Sequence, residues 1–320
     1  DDMTGAKGWA ATAALLATLG GTAKAAERQS VYVIGNSLVN YATDTEETSV
    51  PHWLGLLAEA GGTPLTLDGQ WTALPNFPDE LPPEPEWSFA SVESVWSGRD
   101  SVAGGGYDTV ILTPINYVQY QAPDAPYGGD NPDRESPMTS ALAVMDWFAE
   151  ARPGMRYLIY EGWSDMGGFA PDFPPTARQL RRYHAYNTGD YDAWHEDWHR
   201  MLQEARPDLQ IERLPLARVL SELMTSPPLQ DLPVAATYTD NAPHGSPTLY
   251  FLAAMITYAG VYDTALPQSF EPPESIHPLV RESYGEIARR IEAALATGSR
   301  AEVPRARHRA RAAADKDPAP

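Results

Sequence analysis

Two kinds of apolar pattern alternate along this chain. Short runs rich in β-branched, aromatic and other apolar residues, at 31–34, 64–67, 107–113, 156–160 and 209–214, have the length and composition of strands. Stretches with helical spacing lie between and after them, at 50–60, 138–151, 191–205, 250–258 and 280–296. In the third of these Tyr191, Trp194, Trp198, Met201, Leu202 and Ala205 form one apolar stripe, with Asp190 placed to cap its start. Strands that alternate with helices predict an α/β fold with a parallel sheet covered on both faces. The run at 107–113, with Val110, Ile111 and Leu112 in succession, reads as a mid-sheet strand buried on both sides.

Three connections are long and rich in Pro and Gly: 69–106, 121–137 and 161–177. Each follows the carboxyl end of a predicted strand, where open α/β sheets place their ligands, so these loops are the expected walls of a cleft. They carry several aromatics, and Trp71 and Trp163 are the candidate substrate contacts, rings of a kind that stack on sugars or hold an acyl chain.

Composition narrows the function classes. The 320 residues carry a formal net charge of −20 and no basic stripe in the central region, which argues against nucleic acid as a partner. The absence of cysteine excludes a thiol nucleophile, disulfides and thiolate metal sites. Near the start, Lys7, the apolar run 8–19 and Ala23-Lys24-Ala25 have the form of an export signal, so residues 1–26 are expected to direct the protein to the periplasm or outside the cell. The apolar run is too short to predict a stable membrane span. A single domain is expected over 27–300, and 301–320, rich in Arg, Ala and Pro without apolar periodicity, is expected to be a disordered tail.

The chemistry centres on two segments far apart in sequence. The first predicted strand runs into Gly35-Asn36-Ser37-Leu38, which puts a small hydroxyl on a tight turn at a strand's carboxyl end, where a nucleophile is reachable from the cleft. Downstream, Asp240-Asn241-Ala242-Pro243-His244 brings an acid and an amide a few residues before an imidazole, ahead of a helix. A carboxylate there orients the imidazole that takes the serine proton.

With these blocks in this order the chain resembles the SGNH (GDSL-like) hydrolase superfamily, over roughly residues 30–296. The matching blocks are Gly35-Asn36-Ser37-Leu38, Leu67-Asp68-Gly69-Gln70, Pro114-Ile115-Asn116-Tyr117 and Asp240 to His244. The resemblance implies a three-layer α/β/α, flavodoxin-like fold with a five-stranded parallel sheet, and metal-free, cofactor-free ester hydrolysis. It assigns Ser37 as nucleophile, His244 as proton shuttle and Asp240 as orienting acid, with the Ser37 and Gly69 backbone N–H groups and the Asn116 amide as oxyanion donors. The substrate it suggests is a small-acyl ester, O-acetylated carbohydrate foremost, free or in a polysaccharide. Asn36 stands where the family has an acid, Pro114 and Tyr117 replace the flanks of the third block, and the residue three before His244 is Asn241. Either Asp240 or Asn241 is therefore open as the orienting residue.

Two other readings arise from the same residues. An acyltransferase, or an inactive glycan-binding member of the fold, would use the same scaffold. His195-Glu196-Asp197-Trp198-His199 matches H-E-x-x-H, the helical pattern of a zinc protease, although the apolar stripe explains this segment more simply, with both Trp in the core and the two His flanking it.

Overall fold

The computed structural model describes residues 28–114 and 121–298. Five strands form one sheet: β1 (Gln29–Gly35), β2 (Leu65–Trp71), β3 (Thr109–Leu112), β4 (Arg156–Tyr160) and β5 (Gln210–Leu214). All neighbours are parallel, in the order β2-β1-β3-β4-β5, which is the flavodoxin-like arrangement. Among the described residues, eight α-helices accompany the strands: α1 (Val50–Gly61), α2 (Pro137–Ala151), α3 (Ala177–Asn187), α4 (Asp190–Ala205), α5 (Leu216–Met224), α6 (Pro247–Tyr262), α7 (Pro278–Glu282) and α8 (Tyr284–Gly298). The expected export segment, the tail and Asn116 lie outside the described residues.

Successive strand residues point to opposite faces, and here both faces are buried. Val31 and Val33 of β1 join one core with Leu67, Ile111 and Leu158, under α1, α5, α6 and α8. Tyr32 and Ile34 join the other with Val110, Tyr157 and Ile159, under α2 and α4. That two-sided burial is why the strands read as apolar runs without alternation. Helix α6 is apolar nearly all round and buried nearly throughout, as a helix enclosed by other elements must be. Helix α4 buries Tyr191, Trp198 and Leu202 of the expected stripe, but the fourth buried position is His195, while Trp194 and Met201 are half-buried and Ala205 is exposed.

Helices α3 and α5 are additions to the sequence-based elements. The Arg-rich α3 buries only Tyr183, His184 and Asn187, too few positions to carry a periodic signal. The strand β2 runs four residues past its expected end at Leu67, a change that matters for the site.

Glu161, the first residue after β4, is fully buried. Its Oε1 lies 3.0 Å from Arg213 Nε, while Arg213 also pairs with Asp192 at 2.8 Å. Burial pushes the Glu161 carboxyl up to about 8, with Arg213 pulling it down and Asp192 adding to the rise. The folded carboxyl thus keeps its proton to about pH 8 while the unfolded one releases it near 4.5. The associated stability is complete below the lower value and is lost as pH rises through the higher one. Glu161→Gln, neutral throughout, should gain on the wild type by roughly 3–4 kcal/mol between about pH 5 and about pH 8 in urea unfolding. Equal pH slopes for the two proteins would show that Glu161 does not titrate in this window.

Candidate active site

In this strand order the chain leaves β1 toward β2 and β3 on opposite sides, which opens a crevice at the carboxyl ends of β1 and β3. Ser37 stands there, on a turn built by Asn36. The Asn36 side-chain oxygen accepts from the Leu38 N–H (2.9 Å), and its backbone carbonyl accepts from Val39 and Asn40 (2.9 and 3.0 Å). Its side-chain nitrogen donates to the Pro114 carbonyl (3.1 Å), tying the end of β1 to the residues after β3. That last bond needs a donor, so an amide suits this position where a carboxylate would face a carbonyl unsatisfied. Gly35 precedes the turn because a Cβ would sit 2.9 Å from Val39 Cγ2 and 3.2 Å from the Trp87 ring.

Two buried tyrosines fix the turn from below. Tyr250 donates to the Ser37 carbonyl (2.6 Å) and Tyr160 to the Leu38 carbonyl (2.9 Å). Burial raises the Tyr250 hydroxyl far above its ordinary titration range, so it stays a donor.

The loop before α6 presents the imidazole. An antiparallel bridge between Tyr238 and Gly245 closes it, and Thr239 donates its N–H to the His244 carbonyl (2.8 Å). Asp240 organises the turn within: its Oδ1 accepts from the Ala242 and His244 N–H groups, both at 2.9 Å. Its Oδ2 lies 2.7 Å from His244 Nδ1, and His244 Nε2 lies 3.1 Å from Ser37 Oγ. Partial burial works to raise the Asp240 carboxyl, but the hydrogen bonds from His244 and the turn outweigh it and hold the group below its usual range. Hydroxyl, imidazole and carboxylate in series form an arrangement that can pass a proton from serine to histidine and stabilise the resulting imidazolium.

Asn241 serves another purpose. Its side-chain nitrogen donates to the carbonyls of Ala170 and Pro171 (3.1 and 2.9 Å), and its own carbonyl accepts from Met166 (3.2 Å). It staples the His244 loop to the segment after β4. The longer spacing from acid to histidine is accommodated by a turn one residue larger, folded around the Asp240 carboxylate.

Two sequence-based assignments need correction. Gly69 lies inside β2, paired with Val33, two positions short of the strand's end and level with a residue four before Ser37. Trp87 covers it, its ring atoms 2.5 and 2.9 Å from where a Cβ would stand. Gly69 is small because an indole packs on it, and it does not stand beside the Ser37 hydroxyl as an oxyanion donor. The extra length of β2 carries the loop past this residue. Trp163 is 1% exposed and therefore no substrate contact. Its indole N–H donates to the Pro243 carbonyl (2.9 Å) and its ring packs edge-on against Tyr250 (6.0 Å), which braces the residue before His244. Trp163→Phe should lower unfolding stability by about 1–2 kcal/mol through the lost donor and the space left behind. An unchanged denaturation midpoint would show that this bond does not hold the loop.

Trp71 remains available. It ends β2 opposite Gly35, two residues before Ser37, and at 50% exposed is the only exposed large hydrophobic residue among the described residues. The H-E-x-x-H histidines are occupied otherwise. His195 is buried with Nδ1 2.9 Å from the Tyr191 carbonyl, and His199 Nε2 is 2.9 Å from the Ile211 carbonyl. Glu212, a carboxylate farther downstream, is paired with Arg156. No group of three metal-ligating side chains converges among the described residues. One contact of the site had no sequence signal: the Tyr41 ring stacks on His244, centroids 4.0 Å apart and planes 7° from parallel.

No family model and no curated protein matches the chain. Among solved structures, it is similar to a DUF4886 family protein from Bacteroides uniformis ATCC 8492, at 11% identity and a TM-score of 0.54, over 85% of this chain and 96% of that one. It also aligns with a Clostridium thermocellum family 3 carbohydrate esterase at 15% identity and a TM-score of 0.37, over 72% of this chain and 94% of that one. The first likeness supports the fold; the second is too distant to add to it.

Proposed function

We propose that the protein is a serine esterase of the SGNH type that cleaves small-acyl carboxylic esters. The observation that carries this reading is the series Ser37 Oγ to His244 Nε2 at 3.1 Å and His244 Nδ1 to Asp240 Oδ2 at 2.7 Å, standing at the switch point of the sheet. Ser37 attacks the acyl carbon as its proton moves to His244 Nε2; the imidazolium then gives that proton to the leaving alcohol. Water, deprotonated by His244 in turn, releases the acid from the acyl-Ser37 intermediate.

The developing oxyanion needs donors. The Ser37 N–H is one, since no described residue accepts from it. The Asn116 amide, two residues beyond Pro114, is proposed as the second. Trp71, exposed beside the Ser37 turn, offers a ring face for a sugar, which favours an O-acetylated carbohydrate as the alcohol side of the ester. Action in the periplasm or outside the cell is part of the same proposal and rests on the amino-terminal pattern.

The test is hydrolysis of p-nitrophenyl acetate by purified protein beside Ser37→Ala, with EDTA present so that no adventitious metal contributes. A wild type no faster than Ser37→Ala, on this ester and on acetylated sugars, would overturn the esterase reading.

A further inference from the structure

We propose that Tyr41 is a positioning residue for His244, its ring face holding the imidazole in the plane of proton transfer and stabilising the imidazolium as it forms; this rests on the serine esterase reading. Asp240 fixes the imidazole only along one edge. A ring N–H points along the ring plane, so a single bond at Nδ1, here 2.7 Å to Asp240 Oδ2, sets the direction of Nε2 but does not by itself stop the ring tilting about the Nδ1 to Oδ2 axis. Tyr41 acts on that motion. A ring parallel to the imidazole within 7° and centred 4.0 Å away blocks tilt toward its side.

The placement of Tyr41 is itself tightly determined. Its N–H donates to the Thr48 carbonyl (3.0 Å), and its carbonyl accepts from the Thr48 hydroxyl (2.8 Å). On the two preceding residues, Asn40 bridges Ser49 and the Val39 carbonyl accepts from Val50 at the start of α1. Tyr41 is also four residues from Ser37 on the same short segment, so nucleophile and ring move as one piece while the histidine arrives from a loop two hundred residues downstream. The face of a phenol ring carries negative potential, and a cation over it is stabilised by electrostatic attraction. His244 gains a positive charge when it accepts the Ser37 proton, so the stacked ring favours the state after transfer over the one before it.

The experiment compares wild type, Tyr41→Phe and Tyr41→Leu in two readouts: kcat and KM for p-nitrophenyl acetate, and the rate of Ser37 phosphonylation by a fluorophosphonate, which needs the same proton transfer without a matched ester. Leucine keeps bulk and removes the ring face; phenylalanine keeps the face and removes the hydroxyl. Expected are a Tyr41→Phe variant within about twofold of wild type, and a Tyr41→Leu variant about fivefold lower in kcat with KM unchanged and about fivefold slower in labelling. His244 ring-proton resonances, shifted upfield by the stacked ring in wild type and Tyr41→Phe, should move downfield in Tyr41→Leu, which checks the stack in folded protein without reference to activity. Tyr41→Leu equal to wild type in both rates, a fall in Tyr41→Phe as large as in Tyr41→Leu, or a loss confined to KM would each overturn the role of Tyr41 while leaving the esterase reading intact. Folded wild type that is neither labelled at Ser37 nor active would overturn the esterase reading, and the role of Tyr41 with it.

Discussion

Ser37→Ala and His244→Ala should each lower kcat/KM for p-nitrophenyl acetate by at least about a thousandfold, and the double variant should be no worse than either single one. Serine and histidine act as one unit. Without His244 the Ser37 hydroxyl keeps its proton and is a poor nucleophile; without Ser37 the imidazole has no attacking group to activate. Removing the second member of a broken unit therefore takes away little, and the residual rate reflects binding and oxyanion donors alone. Neither substitution should unfold the protein. Ser37 is held through its backbone carbonyl by Tyr250, a bond that the alanine keeps. The bridge between Tyr238 and Gly245, likewise main-chain, keeps the His244 loop closed. Steady-state rates with EDTA present, alongside a thermal melt of each variant, check the prediction. Additive losses in the double variant would mean that the two residues contribute independently, and the proton-transfer reading would fall.

Much of this architecture is legible in the sequence because its signals are local. Runs such as Val31-Tyr32-Val33-Ile34 have no polar member to alternate with, since one core claims the odd residues and the other the even ones. The Ser37 turn is equally local, as Gly, Asn and Ser in succession at a strand's end leave few other conformations. What escapes depends on distance in sequence. The strand β2 continues through Asp68-Gly69-Gln70 although these residues have low strand propensity, because they sit beside β1 and their polar groups are met elsewhere. The Asp68 carboxylate accepts from Tyr107 (2.8 Å), and the Gln70 oxygen accepts from Tyr32 (2.7 Å). Nothing near Gly69 announces those partners, so the oxyanion assignment fails there. Trp163 fails for a related reason. An indole in a Pro-rich loop has the same composition whether it faces a substrate or braces a neighbouring loop, and only Pro243, 80 residues on, decides between them. The stack of Tyr41 on a histidine more than two hundred residues away is the extreme case.

Asp240→Asn should reduce kcat near neutral pH by about three to four orders of magnitude, while Asn241→Ala should reduce it less than about tenfold. The contrast follows from which atoms each residue uses. An amide at 240 keeps an oxygen to accept from the Ala242 and His244 N–H groups, so the turn should stay folded. Its other atom, now an NH₂, would face His244 Nδ1 where a carboxylate oxygen stood. That donor favours the tautomer with its proton on Nε2, and a protonated Nε2 cannot take the Ser37 proton. The imidazolium also loses its counter-charge, so the wrong tautomer and the missing charge act in the same direction. Asn241, by contrast, bonds among the described residues to Ala170, Pro171 and Met166. Its loss loosens the loop without altering the proton on the imidazole. The two effects separate experimentally. Asp240→Asn should show its loss in kcat with a nearly unchanged melting point, and Asn241→Ala should show a lower melting point with a modest change in rate. The reverse ranking, with Asn241→Ala the more damaging to kcat, would mean that the amide staple rather than the carboxylate makes His244 competent, and the site would then work as a serine–histidine pair held in place by its loops.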